Sequence, residues 1–121
     1  MRNSITTIAG IFIFTLTISS CVKLNLVKEA PSCIENKIRE IQKEEVQNPP
    51  AEVWEWKADG KIYYYFNSAC CDRFSKLYDD KCILLCAPDG GITGKGDGKC
   101  PEFTGEIEKT LIWKDERNKN E

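Results

Sequence analysis

Seven cysteines, no histidine and one glycine-rich stretch flanked by acids and lysines are where this 121-residue chain could do chemistry. Without an imidazole, Ser-His-Asp and Cys-His mechanisms are excluded. The cysteines stand at Cys21, Cys33, Cys70, Cys71, Cys82, Cys86 and Cys100. Thiols serve metal ligation, redox exchange or structural disulfides. Zinc wants Cys-x2-Cys knuckles or His partners, and the chain has neither, so no metal site is expected on these thiolates. Redox exchange wants a Cys-x-x-Cys pair at a helix start, where one thiol's pKa is depressed. That pair is missing too. The remaining role is covalent stapling.

The glycine-rich stretch runs DGGITGKGDG from Asp89 to Gly98. As a phosphate-binding loop it fails twice: Asp89 holds the first Gly position, and Gly96 replaces the Ser or Thr that binds magnesium. As an EF-hand starting at Asp89 it has Gly91 in place of a carboxylate and Cys100 in place of the bidentate Glu. A looser calcium site using Asp89, Asp97 and backbone carbonyls stays open, but no cofactor is expected. The plain reading is a tight loop whose glycines supply positive φ and whose ends are locked by Cys86 and Cys100. On it, Asp89, Lys95 and Asp97 could point outward as a recognition edge, since loops held by a scaffold concentrate binding residues. The alternative, which is preferred, turns the carboxylates inward onto the loop's own N–H groups, as Asx turns do.

The N-terminus reads as an address. Arg2 precedes an apolar run from Ile8 to Ile18, too short for a permanent membrane span and typical of a signal peptide. It ends Ile18-Ser19-Ser20-Cys21, which resembles the lipobox of bacterial lipoproteins. That likeness implies cleavage before Cys21, palmitate-type acylation of its sulfur and attachment to the membrane; several acyl chains anchor firmly where one does not. An ordinary secretory signal that leaves Cys21 as an odd thiol is the competing reading. Spending Cys21 on lipid leaves six cysteines, an even number suited to an oxidising compartment. The adjacent Cys70 and Cys71 are expected to reach two different partners, because a bridge between neighbours is strained. Fifteen connectivities remain open. Val22-Lys23-Leu24-Asn25 lacks an acidic export cluster, which favours the periplasmic side of the outer membrane over the cell surface. Net charge is −2 with both signs interspersed, so no nucleic-acid partner is expected.

The elements that must position these residues follow from periodicity. Residues 1–20 are the signal peptide and 21–30 a tether. Residues 32–46 predict one amphipathic helix with Ser32 and Glu35 at capping-box spacing, Ile34, Ile38 and Ile41 on one face, and Glu35 and Arg39 as an i,i+4 pair. Asn48-Pro49-Pro50 stops it. Val53 to Phe66 predicts a hairpin around Asp59-Gly60, a dipeptide suited to a type I′ turn. The two-residue loop places Trp54, Trp56, Tyr63 and Tyr65 on one face and Val53, Glu55, Lys57, Ile62, Tyr64 and Phe66 on the other. The first face suits a sugar-stacking platform or, as preferred, the core under the helix. Phe74–Tyr78, Ile83–Cys86 and Glu106–Trp113 are further strand candidates, residues 87–101 are loop with five glycines in fifteen residues, and 114–121 a disordered tail. The fold class is α+β: a disulfide-stapled domain over 31–113 with an N-terminal helix packed on a small antiparallel sheet and a Gly-rich loop.

NPPAEVWEWKADGKIYYYFNSACCDRFSKLYD followed by CAPDGGITGKGDGKCPEF resembles a family of small Cys-rich lipoproteins common in Bacteroidota whose function is unknown. The likeness covers residues 31–113 and implies an envelope location and a shared disulfide scaffold. It carries no activity, ligand or catalytic residue. Cys86 to Thr93 is also similar to the Cys-x-x-Asp-Gly-x-Thr string of Kazal-type protease inhibitors, with one extra residue after Cys86 and Gly94 in place of Tyr. The expected function is a non-enzymatic, lipid-anchored binding or structural module of the cell envelope, meeting the membrane through its lipid and an envelope protein or glycan through its fold. A small disulfide-rich inhibitor and a calcium- or glycan-binding module are the alternatives.

Overall fold

Asp59 and Gly60 adopt φ of 51° and 74°, the double positive φ of a type I′ turn, and fold β1 (Glu52–Ala58) back onto β2 (Lys61–Phe66). The turn sets the register: Trp54 faces Tyr65, Glu55 faces Tyr64 and Trp56 faces Tyr63. In this computed structural model, which describes residues 10–15, 24–70 and 72–117, the hairpin is the middle of a five-stranded antiparallel sheet. β3 (Lys76–Asp79), β4 (Leu84–Cys86) and β5 (Glu108–Lys114) complete the order β4-β3-β2-β1-β5. β3, β4 and β5 start one or two residues later than the pattern predicts, and β1 starts one residue earlier. Phe74, expected at the head of β3, makes only an isolated bridge to Gly90. A bulge between Val53 and Trp54 lets Ile112 and Trp113 of β5 both be buried.

Helix α1 spans Ser32–Gln42 and is shorter than the predicted 32–46. Pro31 is its N-cap, with no side-chain cap bond, so the Ser32–Glu35 capping box does not form. The Pro31 carbonyl instead accepts the N–H groups of Ile34 at 2.9 Å and Glu35 at 3.1 Å. At the other end, Glu44 and Glu45 would meet the negative end of the helix dipole. The Arg117 guanidinium also takes the carbonyls of Gln42 at 2.8 Å and Glu44 at 3.1 Å.

The sheet has two apolar faces, and one short helix can cover only one. Ile34 and Ile38 pack on Val53, Tyr64, Phe66 and Ile112, so α1 covers the face opposite Trp54 and Trp56 rather than the aromatic face as predicted. The Cys33–Cys82 disulfide joins the first turn of α1 to the β3–β4 turn and holds the helix on that side. The aromatic face is covered by the Gly-rich loop and the segment before β5, through Phe103, Ile107 and Cys100.

Both chain ends are more anchored than expected. Leu24, within the predicted tether, is 7% exposed and joins the helix-side core; the Val27 N–H reaches the Ile112 carbonyl at 2.8 Å, and the Lys28 ammonium meets buried Glu55 at 2.7 Å. A domain this small gains from every apolar residue that it can bury. Within the predicted tail, Lys114 closes β5 and Asp115 is buried against Arg117; residues 118–121 lie outside the described residues. Residues 10–15 of the apolar run are exposed and without regular structure. Cys21 and the rest of the predicted signal peptide lie outside the described residues. Among those described, no helix is long and apolar enough to cross a membrane.

A second disulfide, Cys86–Cys100, closes the Gly-rich loop. Chain entropy assigns about 4 kcal/mol to the Cys33–Cys82 bond and about 3 kcal/mol to the shorter closure. Cys70 is disulfide-bonded as well. The expectation that Cys70 and Cys71 reach two of the other four domain cysteines does not hold, because those four pair with one another. Cys71 lies outside the described residues.

Candidate functional site

The Gly-rich loop is packed onto the sheet. The Tyr65 hydroxyl donates to the Asp89 carboxylate at 2.7 and 3.0 Å. The buried Ser75 hydroxyl donates to the Asp89 carbonyl at 3.0 Å and accepts the Asp89 N–H at 3.1 Å. Burial, reinforced by the Asp89 bond, pushes the Tyr65 phenol above its ordinary value. Asp97 accepts the Lys99 N–H at 3.0 Å, and that bond holds its carboxyl below the usual range. Lys95 alone of the three sits fully at the surface. Asp89, Lys95 and Asp97 are therefore not assembled into one outward edge. Gly96, at φ 75°, is required by close approach: a Cβ there would run into the Ala87 carbonyl oxygen.

At the loop tip the Gly94 N–H reaches the Gly91 carbonyl at 3.1 Å, a closed turn that leaves Ile92 94% exposed.

The aromatic face is interior. Trp56 is 6% and Tyr63 7% exposed. Tyr65 stacks on Trp56 with centroids 4.9 Å apart, and the Lys109 ammonium lies 4.5 Å over the same indole. These come from β2 and β5, the two strands that flank β1. Phe103 packs edge-on to Tyr63 at 5.4 Å. Half-buried Trp54 donates its indole N–H to Glu52 at 3.0 Å. A sugar has no free ring face on which to stack at Trp56.

The open concavity lies on the helix side. A groove of about 460 Å³ runs between α1 and the segment that leads into β3. Its floor is Phe66 and Tyr78, edge to face at 5.3 Å. Lys37 leaves α1 just before buried Ile38 and places its ammonium 4.4 Å over the Tyr78 ring. Lys76 is exposed and shares the helix-side face of β3 with Tyr78, opposite Leu77. Arg73 is fixed by its own N–H to the Cys70 carbonyl at 2.9 Å and by the Gly91 N–H on its carbonyl at 3.1 Å. Phe74 stands half out of the fold, its ring against Gly91. Three acids line the rim: Glu40 pairs with Lys43 at 3.0 Å and Glu52 with Lys114 at 3.5 Å, while exposed Glu44, on the stretch after α1, forms no ion pair among the described residues. Among the described residues, Lys37, Arg73 and Lys76 form no ion pair.

The groove can therefore hold a carboxylate-bearing ligand with apolar surface. It was missed in the sequence because its parts come from four separated segments; the alternation Arg73-Phe74-Ser75-Lys76 is the one local hint. A second hollow, of about 430 Å³, lies beside β5 between Asn25–Val27 and Leu111–Arg117. Among the described residues, no three of His, Cys, Asp or Glu converge as a metal ion would require, and Asp89 and Asp97 are occupied as above. The family described as Domain of unknown function (DUF6970) matches residues 39–115. No curated protein and no solved structure matches the chain.

Proposed function

Because the chain belongs to the DUF6970 family, whose description names no activity, we propose from its own residues that it is a non-enzymatic, lipid-anchored binding module of the bacterial envelope. Its anchor is acylated Cys21, its location the periplasmic side of the outer membrane, and its ligand an acidic segment of an envelope protein. The observation that carries the reading is the groove in which, among the described residues, Lys37, Arg73 and Lys76 form no ion pair above an aromatic floor. Cations left to a ligand over apolar surface give charge complementarity and orientation together. A non-enzymatic role is supported by the missing imidazole and by the phenols of Tyr64, Tyr65 and Tyr78, which burial pushes up, away from any use as a base.

Two measurements test it. Cys21→Ala should leave the membrane fraction and lose fatty-acid labelling; continued membrane association of that variant contradicts the anchor. Titrating a soluble Cys21→Ala form with a glutamate-rich decapeptide should move the amide resonances of Lys37, Arg73 and Lys76 and leave Gly90 to Gly98 in place. Shifts confined to the glycine loop contradict the groove.

A further inference from the structure

The first described residue after Cys21 in the domain is already locked into its core. Leu24 is 7% exposed among Ile34, Ile38 and Ile112, and the chain that follows is pinned by the Val27–Ile112 bond at 2.8 Å and the Lys28–Glu55 pair at 2.7 Å. Three residue steps separate Cys21 from Leu24, so even a fully extended chain places the two Cα atoms no more than about 11 Å apart. A lipoprotein on a long linker can tumble above its membrane. This one has no such length.

We propose that the domain rests on the bilayer in one orientation, with the β5 edge and the hollow beside it seated on phospholipid headgroups. The inference rests on acylation of Cys21 as read above. Asn25 and Val27, which follow Leu24, line that hollow together with Leu111, Lys114, Glu116 and the Asp115–Arg117 pair, which is neutral as a unit. Val27 is largely exposed and suits the boundary between headgroup and acyl chain. The Lys114 ammonium pairs with Glu52 at 3.5 Å, but its side chain is half exposed, so it can exchange that partner for a lipid phosphate. The sheet order puts β4 at the opposite edge, four strand spacings or about 19 Å away. The turn carrying Ile92 follows β4 in the chain and bridges to Phe74, just before β3. It therefore faces away from the membrane, and Arg73 and Lys76 lie at the same end of the sheet, open to a partner.

The test is hydrogen exchange on the full acylated protein in phosphatidylethanolamine–phosphatidylglycerol vesicles, compared with the Cys21→Ala form in solution. Exchange should slow at least fivefold at residues 25–27 and 111–117 and stay unchanged at 89–99. A variant with ten Gly-Ser residues inserted between Lys23 and Leu24 should still float with the vesicles and lose that protection. Floating parent protein with no protection at the β5 edge, or with protection at 89–99, overturns the orientation while leaving the anchor standing. Parent protein that does not float overturns both.

Discussion

Asp115 and Arg117 stand two residues apart, and their side chains meet at 2.8 Å so that the guanidinium reaches back over the last turn of α1. The pair links the end of β5 to the end of the helix, elements far apart in sequence. The carboxylate is almost fully buried while the guanidinium is partly open to solvent.

Arg117→Ala removes both the helix cap and the partner of a buried carboxylate. Losing one member of a fully buried pair costs about 3–5 kcal/mol. Solvent at the guanidinium reduces this, so a loss of about 2 kcal/mol is expected. Urea unfolding measures it, and amide exchange at residues 39–44 should quicken in the same variant.

The same pair sets the acid response. Arg117 holds the Asp115 carboxyl below its ordinary value, as Thr104 does for Asp59 and the Lys99 N–H for Asp97. A lowered folded pKa means that the unfolded chain binds more protons near the ordinary carboxylate range, so stability rises with pH there. The contribution is complete above about pH 4–5 and is lost as pH falls through the lowered folded values. Urea midpoints measured from pH 7 to pH 2.5 should fall on the acid side, and Asp115→Asn should flatten that fall.

Tyr65→Phe should cost about 1–2 kcal/mol, because the half-buried Asp89 carboxylate loses its phenol donor. In the parent protein, alkaline titration of tyrosine absorbance should show the Tyr64, Tyr65 and Tyr78 phenols ionising later than ordinary tyrosines, and Tyr65→Phe should remove the latest component while the other two remain.

Protein isolated from an oxidising compartment should show no free thiol on denaturation and six on reduction, with Cys21 alkylated. Two or more free thiols before reduction would contradict the stapled scaffold. Replacing Cys33 and Cys82 together by Ala should cost about 4 kcal/mol by the entropy of the closed loop.

The hairpin was legible because Asp59-Gly60 permits few turns and a two-residue turn leaves one register. The helix was legible from Ile34 and Ile38, but its end was not, since Arg117 reaches it from 75 residues away. The side of the sheet that α1 would cover was not legible either. Both faces are apolar, and the choice is marked by the Cys33–Cys82 bond, which only three of the fifteen connectivities contain. Glycine spacing showed a tight loop but not that Asp89 turns toward Tyr65, a contact across 24 residues. The groove depends on Lys37, Arg73 and Lys76 meeting in space, which no local pattern records.

Isothermal titration of a glutamate-rich decapeptide against three proteins tests the central claim most directly: the Cys21→Ala parent, an Arg73→Glu/Lys76→Glu form and an Ile92→Ala/Lys95→Glu form. The groove reversal should weaken binding at least tenfold with an unchanged melting temperature, and the loop variant should bind like the parent. Equal affinity of the groove reversal and the parent, or a loss confined to the loop variant, would contradict it.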